Sequence, residues 1–283
     1  MEFVRRRGPH ASQAERIAWG EDEQQNGTDA RRRRAQWNGV CEDDMGLFRR
    51  RKKEAGPSCS VVVVAAGAST RMGFDKVLAE VGGLPVIVRC LQSFQQVSEV
   101  KEIVVVTRED LVPDVARLCQ DFGLTKVAKV IRGGETRTQS ARLGTLECGH
   151  KAPLIAIHDG ARPFVTPRVI EDTIAQAAVG GAAAPAVPVK DTIKEARDGL
   201  VERTLDRPSL YAVQTPQVFD GDLIRAALQK ALDDGVELTD DCAAVERLGM
   251  KVALTAGDER NIKLTTPADL LIGEVLLEEA PAL

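Results

Sequence analysis

The sequence is poor in the residues that build metal centres, disulfide frameworks and aromatic binding platforms. Among 283 residues only three are histidine and 4% are aromatic, and the six cysteines contain no CxxC pair. These shortages argue against a zinc site, a disulfide-stabilised fold and a base-stacking surface. No apolar run reaches the roughly 18–20 residues of a membrane-spanning helix, and no apolar secretory stretch opens the chain. We therefore expect a cytoplasmic protein with reduced thiols.

Acidic residues outnumber basic ones, but unevenly along the chain. The formal net charge is −4; residues 1–57 carry 13 Lys and Arg against 10 Asp and Glu, and the remainder carries 25 against 32. A net negative charge over residues 58–283 argues against the positively charged surface that a protein needs to bind duplex nucleic acid. An anionic ligand must then be held by a few cations placed inside a cleft.

The first 57 residues differ in kind from the rest. Runs of arginine and lysine alternate with acidic clusters, and no apolar periodicity is present. This pattern is typical of a disordered extension. One alternative is a transit peptide, against which the ten acidic residues argue. A second alternative is a tether to nucleic acid or to an anionic membrane, which only the charge of the segment supports. A third is that the start codon is wrongly assigned and translation begins at Met45.

From residue 58 onward, apolar β-branched segments alternate with segments of helical period. The strand-like segments are residues 61–65, 103–107, 127–131, 154–157 and 182–187. Strands that are apolar on both faces and joined by helices predict an α/β fold, a three-layer Rossmann-like sandwich around a mostly parallel sheet. Ligands of such folds bind beyond the carboxyl ends of the strands.

Residues 188–213 break this alternation. They predict two short, charged strands around a turn at Asp198-Gly199. A hairpin of this size has too little apolar surface to be stable alone. We therefore expect it to project from the sheet as a dimerisation arm that packs on a second subunit.

The first strand runs into the segment AAGASTRMGFDK, residues 65–76. Its small residues let backbone N–H groups approach an anion closely, and Arg71 and Lys76 add two positive charges at the same strand end. This predicts a phosphate-binding loop that is neither a Walker loop nor a GxGxxG loop. The alternative is an ordinary turn with two solvated basic side chains.

Further segments narrow the class of protein. They are GGETRTQS (133–140), HDGARP (158–163), PVKDTIK (188–194), LDRPSLYAVQTPQVF (205–219), LTDDCAAVE (238–246) and NIKLTTPADL (261–270). Together with AAGASTRM and the lysine after it, these segments resemble the 2-C-methyl-D-erythritol 4-phosphate cytidylyltransferases, over about residues 60–278. The resemblance implies a nucleotide-diphospho-sugar transferase type of fold. It also implies transfer of CMP from CTP to methylerythritol phosphate, with release of pyrophosphate, in non-mevalonate isoprenoid synthesis.

The resemblance assigns roles to the matching positions. The implied catalytic cations are Arg71, Lys76, Arg207 and Lys263, and the implied ligand of Mg²⁺ is Asp159. The implied CTP-binding residues are Ala65, Ala66, Gly67, Ser69, Gly134, Glu135, Arg137, Ser140 and Gly160. The implied substrate-binding residues are Arg162, Thr192, Thr215 and Thr239. Since Arg207 and Thr192 belong to the predicted arm, they would reach the active site of the partner subunit in a homodimer.

Several of these residues also have a structural interpretation. Ser140 fits a buried helix hydroxyl, Arg137 a surface ion pair and Arg207 a solvated hairpin charge. Thr215 and Thr239 fit turn or cap hydroxyls. His158, beside Asp159, is predicted to be packed and not catalytic, because an attacking phosphate oxygen is already ionised and needs no general base.

Two other functions remain open at the level of sequence. A cytidylyltransferase acting on ribitol 5-phosphate or another polyol phosphate would share the loop at residues 65–76 and Asp159. A nucleotide-binding regulator without catalysis would keep the fold, although the presence of all the expected cations argues against it. No partner among nucleic acids or membranes is predicted.

Overall fold

The structure is a computed structural model that describes residues 57–67, 75–149 and 153–278. These residues fall within one unit of the chain, Lys52–Leu283. The predicted extension lies, apart from Pro57, outside the described residues, and so do Ser69 and Arg71.

The described residues form twelve strands and seven α-helices. The strands are β1 Cys59–Ala65, β2 Glu80–Val81, β3 Leu84–Pro85, β4 Val100–Thr107, β5 Val127–Arg132, β6 Leu154–Asp159, β7 Ala182–Pro188, β8 Lys194–Arg197, β9 Leu200–Thr204, β10 Tyr211–Val213, β11 Gln217–Asp220 and β12 Ala253–Ala256. The helices are α1 Val86–Gln96, α2 Val112–Asp121, α3 Arg137–Glu147, α4 Pro167–Gly180, α5 Gly221–Asp233, α6 Cys242–Glu246 and α7 Pro267–Glu278. All five predicted strand segments are confirmed.

Most of the strands join one sheet in the order β10-β7-β11-β6-β1-β4-β5, with β12 paired to β7. Strand β1 lies in its centre and pairs in parallel with β4 and β6. Its run of valines suits a strand buried on both faces, because β-branched side chains pack well there. Strands β10 and β11 are antiparallel to their neighbours. The prediction of a mostly parallel sheet is confirmed.

Alternate residues of the central strand enter two hydrophobic cores on opposite faces of the sheet. Val61 and Val63 pack into the core that contains residues of α1, α2 and α4. Val62 packs into the core that contains residues of α3, α5 and α6. Helices therefore cover both faces, as the three-layer prediction requires.

Residues 188–213 contain the predicted hairpin. Strands β8 and β9 form a separate two-stranded antiparallel sheet, and every residue of the two strands is exposed. Asp198 (φ 51°) and Gly199 (φ 80°) both adopt the left-handed conformation that a tight hairpin turn of this twist needs. The two predicted strands are therefore present, and their projection as a dimerisation arm stays a prediction.

Helix α7 is the most apolar helix at the surface, with Leu271, Ile272 and Val275 exposed. None of the helices among the described residues is both long enough and apolar enough to cross a membrane.

Candidate active site

A cavity of about 250 Å³ lies at the carboxyl ends of β1 and β6. Its lining includes many of the predicted site residues, namely Ala65, Ala66, Gly67, Lys76, Gly134, Glu135, Arg137, Ser140, Asp159 and Lys263. These residues come from four separate segments, which meet because parallel strands end at the same edge of a sheet. The described part of the predicted phosphate-binding loop thus shares a cavity with residues 134–140, which contain the other main group of predicted CTP-binding residues.

The N-terminus of α3 forms one wall of the cavity. Thr136 caps the helix: its hydroxyl oxygen accepts a hydrogen bond from the backbone N–H of Gln139 (3.1 Å), and the Gln139 side chain accepts one from the Thr136 N–H (3.3 Å). This reciprocal capping box fixes the first turn. Arg137, the first residue of the helix, is thereby held at the cavity, where the helix dipole also favours an anion.

Ser140 organises the turn that precedes this helix. Its buried hydroxyl donates to the carbonyl of Thr136 (3.0 Å) and accepts from the backbone N–H of Gly134 (3.1 Å). The structural interpretation of Ser140 as a buried helix hydroxyl therefore holds. A direct contact of Ser140 with the nucleotide stays a prediction.

Asp159, the last residue of β6, lies among three basic side chains. Its carboxylate is 2.8 Å from Lys263 Nζ, 3.4 Å from Arg137 Nη2 and 3.7 Å from Arg162 Nε. Burial alone would raise the pKa of Asp159, but Arg137, Lys263 and Arg162 outweigh it and hold that pKa well below its usual range. Asp159 is therefore ionised at neutral pH.

Hydrogen bonds beneath Asp159 fix its backbone. Thr215 Oγ1 accepts from the Asp159 N–H (3.1 Å) and lies 3.0 Å from His158 Nδ1. His158 Nε2 lies 3.1 Å from the carbonyl oxygen of Arg162, which can only accept, so this nitrogen carries the proton and Nδ1 accepts from Thr215. His158 is buried and hydrogen-bonded, as predicted, and it also contacts the Phe94 ring edge-on at 4.9 Å between centroids. That His158 takes no part in catalysis stays a prediction.

Lys263 reaches the cavity from the far end of the chain. The preceding Asn261 donates through Nδ2 to the carbonyl of Thr215 (2.9 Å), and its own carbonyl accepts from Arg162 Nη1 (2.7 Å). The backbone of Leu264 donates to the carbonyl of Ala161 (2.8 Å). These bonds tie residues 261–264 to the segment after β6, so that Lys263 and Asp159 meet.

Sequence reasoning missed Asp241, although the segment LTDDCAAVE that contains it was singled out. Asp241 is buried and receives both terminal nitrogens of Arg137, at 2.9 Å and 2.7 Å. Burial lowers the pKa of Arg137, but Asp241 and Asp159 outweigh it, so the pKa lies above its ordinary value. Arg137 is permanently charged, and the ion pair proposed as its structural alternative is partly buried instead of lying at the surface.

Other predicted residues lie outside the cavity lining. Gly160 is a buried packing position, since an added Cβ would lie 3.0 Å from the Cβ of Ala65. Thr215 is buried beneath Asp159.

Three other predicted site residues are exposed and lie outside the cavity lining, namely Thr192, Arg207 and Thr239. The Arg207 side chain donates a hydrogen bond to the carbonyl of Lys190 (3.0 Å), and both residues belong to the segment 188–213 that contains the hairpin. Ser69 and Arg71 belong to the undescribed residues 68–74.

The donor set of the cavity fits a hard divalent cation held in part by its substrate. Asp159 supplies one ionised carboxylate at the cavity wall. Within residues 57–67, 75–149 and 153–278, no group of three His, Cys, Asp or Glu side chains forms a protein cage for a metal. Mg²⁺ commonly takes one or two carboxylates and completes its shell with waters and phosphate oxygens. The single carboxylate of Asp159 is therefore sufficient as the protein ligand of such a site.

A mostly parallel α/β sheet with a cation-lined cavity at its strand ends, beside a loop of small residues, suits an enzyme that binds phosphates, such as a nucleotidyltransferase. The chain matches the family described as 2-C-methyl-D-erythritol 4-phosphate cytidylyltransferase over residues 59–279. It therefore belongs to that family, and the resemblance seen in the sequence is confirmed.

Relatives and solved structures agree with this assignment. The chain is 44% identical over 228 residues to 2-C-methyl-D-erythritol 4-phosphate cytidylyltransferase of Caldanaerobacter subterraneus subsp. tengcongensis, covering 78% of this chain and 99% of the relative. It is similar to the crystal structure of 4-diphosphocytidyl-2C-methyl-D-erythritol synthase from Anaerococcus prevotii, with a TM-score of 0.72 and 31% identity over 79% of this chain and 97% of the other. The Thermus thermophilus cytidylyltransferase matches with a TM-score of 0.65 and 31% identity, over 78% and 99%.

Proposed function

We propose that the cavity at the ends of β1 and β6 is where this chain transfers the cytidylyl group of CTP to 2-C-methyl-D-erythritol 4-phosphate. A phosphate oxygen of the acceptor forms a bond to the α-phosphorus of CTP. The bond from that phosphorus to the oxygen bridging to the β-phosphate breaks, and pyrophosphate leaves with the electron pair. The observation that carries the proposal is the convergence of Arg137 and Lys263 on the ionised Asp159, in a cavity that Lys76 also lines.

Two polyanions must approach each other in this reaction, so the main task of the protein is charge neutralisation and alignment. In our proposal Lys76, together with Arg71, stabilises the charge on the phosphates from the loop after β1. Lys263, which also lines the cavity, places the acceptor phosphate for in-line attack. An ammonium and a guanidinium fixed in a shielded cleft stabilise the transition state more than they could in water.

The nucleotide lies, in this proposal, between the loop after β1 and the N-terminus of α3. Backbone groups of Ala65, Ala66 and Gly67 approach the phosphates, because small side chains leave room for them. Gly134 and Glu135 lie against the base. Arg137, held at the same wall, provides a fixed positive charge beside the ribose and phosphates.

Asp159 would hold Mg²⁺ through one carboxylate oxygen. When bound, the ion neutralises phosphate oxygens and withdraws charge from the α-phosphorus. Lys263 and Arg137 keep the carboxylate ionised and therefore able to act as a ligand. Replacing Asp159 by asparagine is expected to remove metal-dependent turnover while the far-ultraviolet circular dichroism spectrum is kept.

The acceptor site is proposed to be completed by a second copy of the chain. The hairpin exposes two large apolar side chains, Leu200 (75%) and Val201 (61%), which a partner surface would cover. Arg207 and Thr192 belong to the same stretch and would reach the partner's cavity. Arg162, Thr215 and Thr239 are the other proposed substrate contacts, and the first two already make hydrogen bonds within the protein.

Pyrophosphate release with CTP and Mg²⁺ tests the assignment. Methylerythritol phosphate and ribitol 5-phosphate are compared as acceptors, and preference for the ribitol compound would overturn the proposal. Lys76→Ala is expected to bind CTP in calorimetry but to turn over at least about 10²-fold more slowly, because a placed cation at a reacting phosphate is lost. Lys251→Ala, at an exposed position outside the cavity lining, is the matched control.

A further inference from the structure

Asp241 is a buried acid that is not among the predicted site residues. Its side chain is 1% exposed and accepts two hydrogen bonds from the guanidinium of Arg137, 104 residues earlier in the chain. A two-pronged pair of this kind fixes the plane and the direction of a guanidinium, which a single contact does not.

The backbone that carries Asp241 is itself anchored. Gln217 of β11, also buried, accepts hydrogen bonds from the backbone N–H groups of Asp241 (2.9 Å) and Cys242 (3.0 Å) through its Oε1. Its Nε2 donates to Asp240 Oδ2 (2.9 Å). The backbone at Asp241 is therefore hydrogen-bonded to a strand of the main sheet. This limits how far the Asp241 carboxylate can move if Arg137 moves.

Two carboxylates compete for the same guanidinium. Arg137 makes short bonds to Asp241, whereas Nε and Nη2 both lie 3.4 Å from Asp159 Oδ1. Opposite charges at this separation attract strongly in a partly buried site. Without Asp241, the guanidinium could close on Asp159 and engage the carboxylate that the proposed function assigns to the metal.

We propose that Asp241 is a positioning residue, which holds the Arg137 guanidinium at the cavity wall and keeps it from closing on Asp159. This inference rests on the proposed function, because it takes Arg137 as a nucleotide contact. Its role is exerted through Arg137 alone, and Asp241 itself touches no substrate.

The primary test is Asp241→Asn, which keeps the shape of the side chain and removes its charge. We expect the calorimetric Kd and the KM for CTP to rise about tenfold or more, because a displaced charge-assisted contact is lost. The KM for methylerythritol phosphate should change by less than about twofold, since Arg137 is assigned to the nucleotide. Asp241→Glu, which restores a carboxylate, should recover most of the CTP affinity.

A double-mutant cycle separates positioning from a merely structural role. In an Arg137→Gln background, Asp241→Asn should change the KM for CTP by less than about twofold, because the group it acts through is gone. This double variant also leaves no unpaired buried charge, so it keeps the test valid if Asp241→Asn alone fails to fold. Asp234→Asn, which breaks a surface ion pair with Lys230, is the control and should leave both KM values unchanged.

Two results would overturn the inference. One is a folded Asp241→Asn variant with wild-type affinity for CTP. The other is a further large loss of CTP affinity when Asp241→Asn is added to Arg137→Gln. If instead Arg137→Gln alone leaves CTP binding unchanged, the assignment of Arg137 in the proposed function fails. This single variant tests the proposed function separately from the role of Asp241.

Discussion

At the scale of single residues, the buried His158 makes stability depend on pH. Burial lowers its pKa to about 4, against an ordinary value of 6.5. Between about pH 6.5 and pH 4, His158 is therefore protonated in the unfolded chain but remains neutral in the folded chain. The stability contributed by neutral His158 is complete above about pH 6.5 and is lost as the pH falls toward 4.

We expect the contribution of His158 to the free energy of unfolding to decrease by about 3 kcal/mol across this window, since each unit of pKa shift corresponds to about 1.4 kcal/mol. Asp159 does not contribute to this slope, because its lowered pKa affects stability only below its ordinary value of 3.8. Urea unfolding at several pH values measures the slope. His158→Gln, which has no titrating group, should flatten it; an unchanged slope in that variant would contradict this account.

Gly133 shows how one missing side chain shapes the cavity. A Cβ at this position would lie 2.6 Å from the Cβ of Ala66 and 2.8 Å from Ser140 Oγ. Gly133→Ala should push these cavity residues apart, weaken CTP binding and destabilise the fold by about 1–3 kcal/mol, the usual cost of overpacking. Calorimetry with CTP and thermal unfolding give the two readouts.

Gly180, in helix α4, provides the matched control for that substitution. An added Cβ there meets no atom within 4 Å, and the position is helical. Gly180→Ala should leave CTP binding unchanged and leave the melting temperature equal or raised, because alanine is the better helix former. Equal effects of the two substitutions on CTP binding would show that Gly133 has no special place at the cavity.

At the scale of elements, the hairpin is the part whose role depends on a second chain. If Arg207 acts across subunits, Arg207→Ala and Lys263→Ala impair different halves of each site. Mixing the two inactive variants and exchanging subunits should then restore about a quarter of wild-type turnover, because half the random dimers are mixed and each has one intact site.

Each variant alone must stay nearly inactive in this experiment, and analytical ultracentrifugation must show dimers. Persistent inactivity of the exchanged mixture would place Arg207 and Lys263 in the same chain's site or exclude Arg207 from it. Leu200→Asp, which puts a charge at an exposed apolar position of β9, should shift the protein toward monomer and reduce turnover without weakening CTP binding.

At the scale of the whole molecule, the region matched by the family begins at residue 59. Deletion of residues 1–44 is therefore expected to leave kcat/KM for both substrates within about twofold of the full chain, because every contact argued for the site lies after this segment. Pyrophosphate release compares the two chains directly. A large loss of turnover on deletion would show that the charged segment takes part in catalysis.

Local patterns made much of the architecture predictable. The valine run of β1 predicted a strand buried on both faces, and Asp198-Gly199 predicted a tight turn, because both patterns act through neighbouring residues. Strands β10 and β11 were missed, since short antiparallel insertions carry no periodicity of their own. Helix α6 is short, Cys242–Glu246, and the two residues before it, Asp240 and Asp241, bind Gln217 and Arg137.

The sequence by itself determined the fold class, the family and most of the residues that line the cavity, because these follow from strand periodicity and from ordered motifs. Only the tertiary structure decided which charges face one another: that Lys263 and Arg137 meet Asp159, that Asp241 holds Arg137, and that Thr215 supports the backbone of Asp159. The reason is physical. Ion pairs and buried hydrogen bonds join residues as many as 104 positions apart, and their partners are set by the packing of the sheet, which no local pattern encodes.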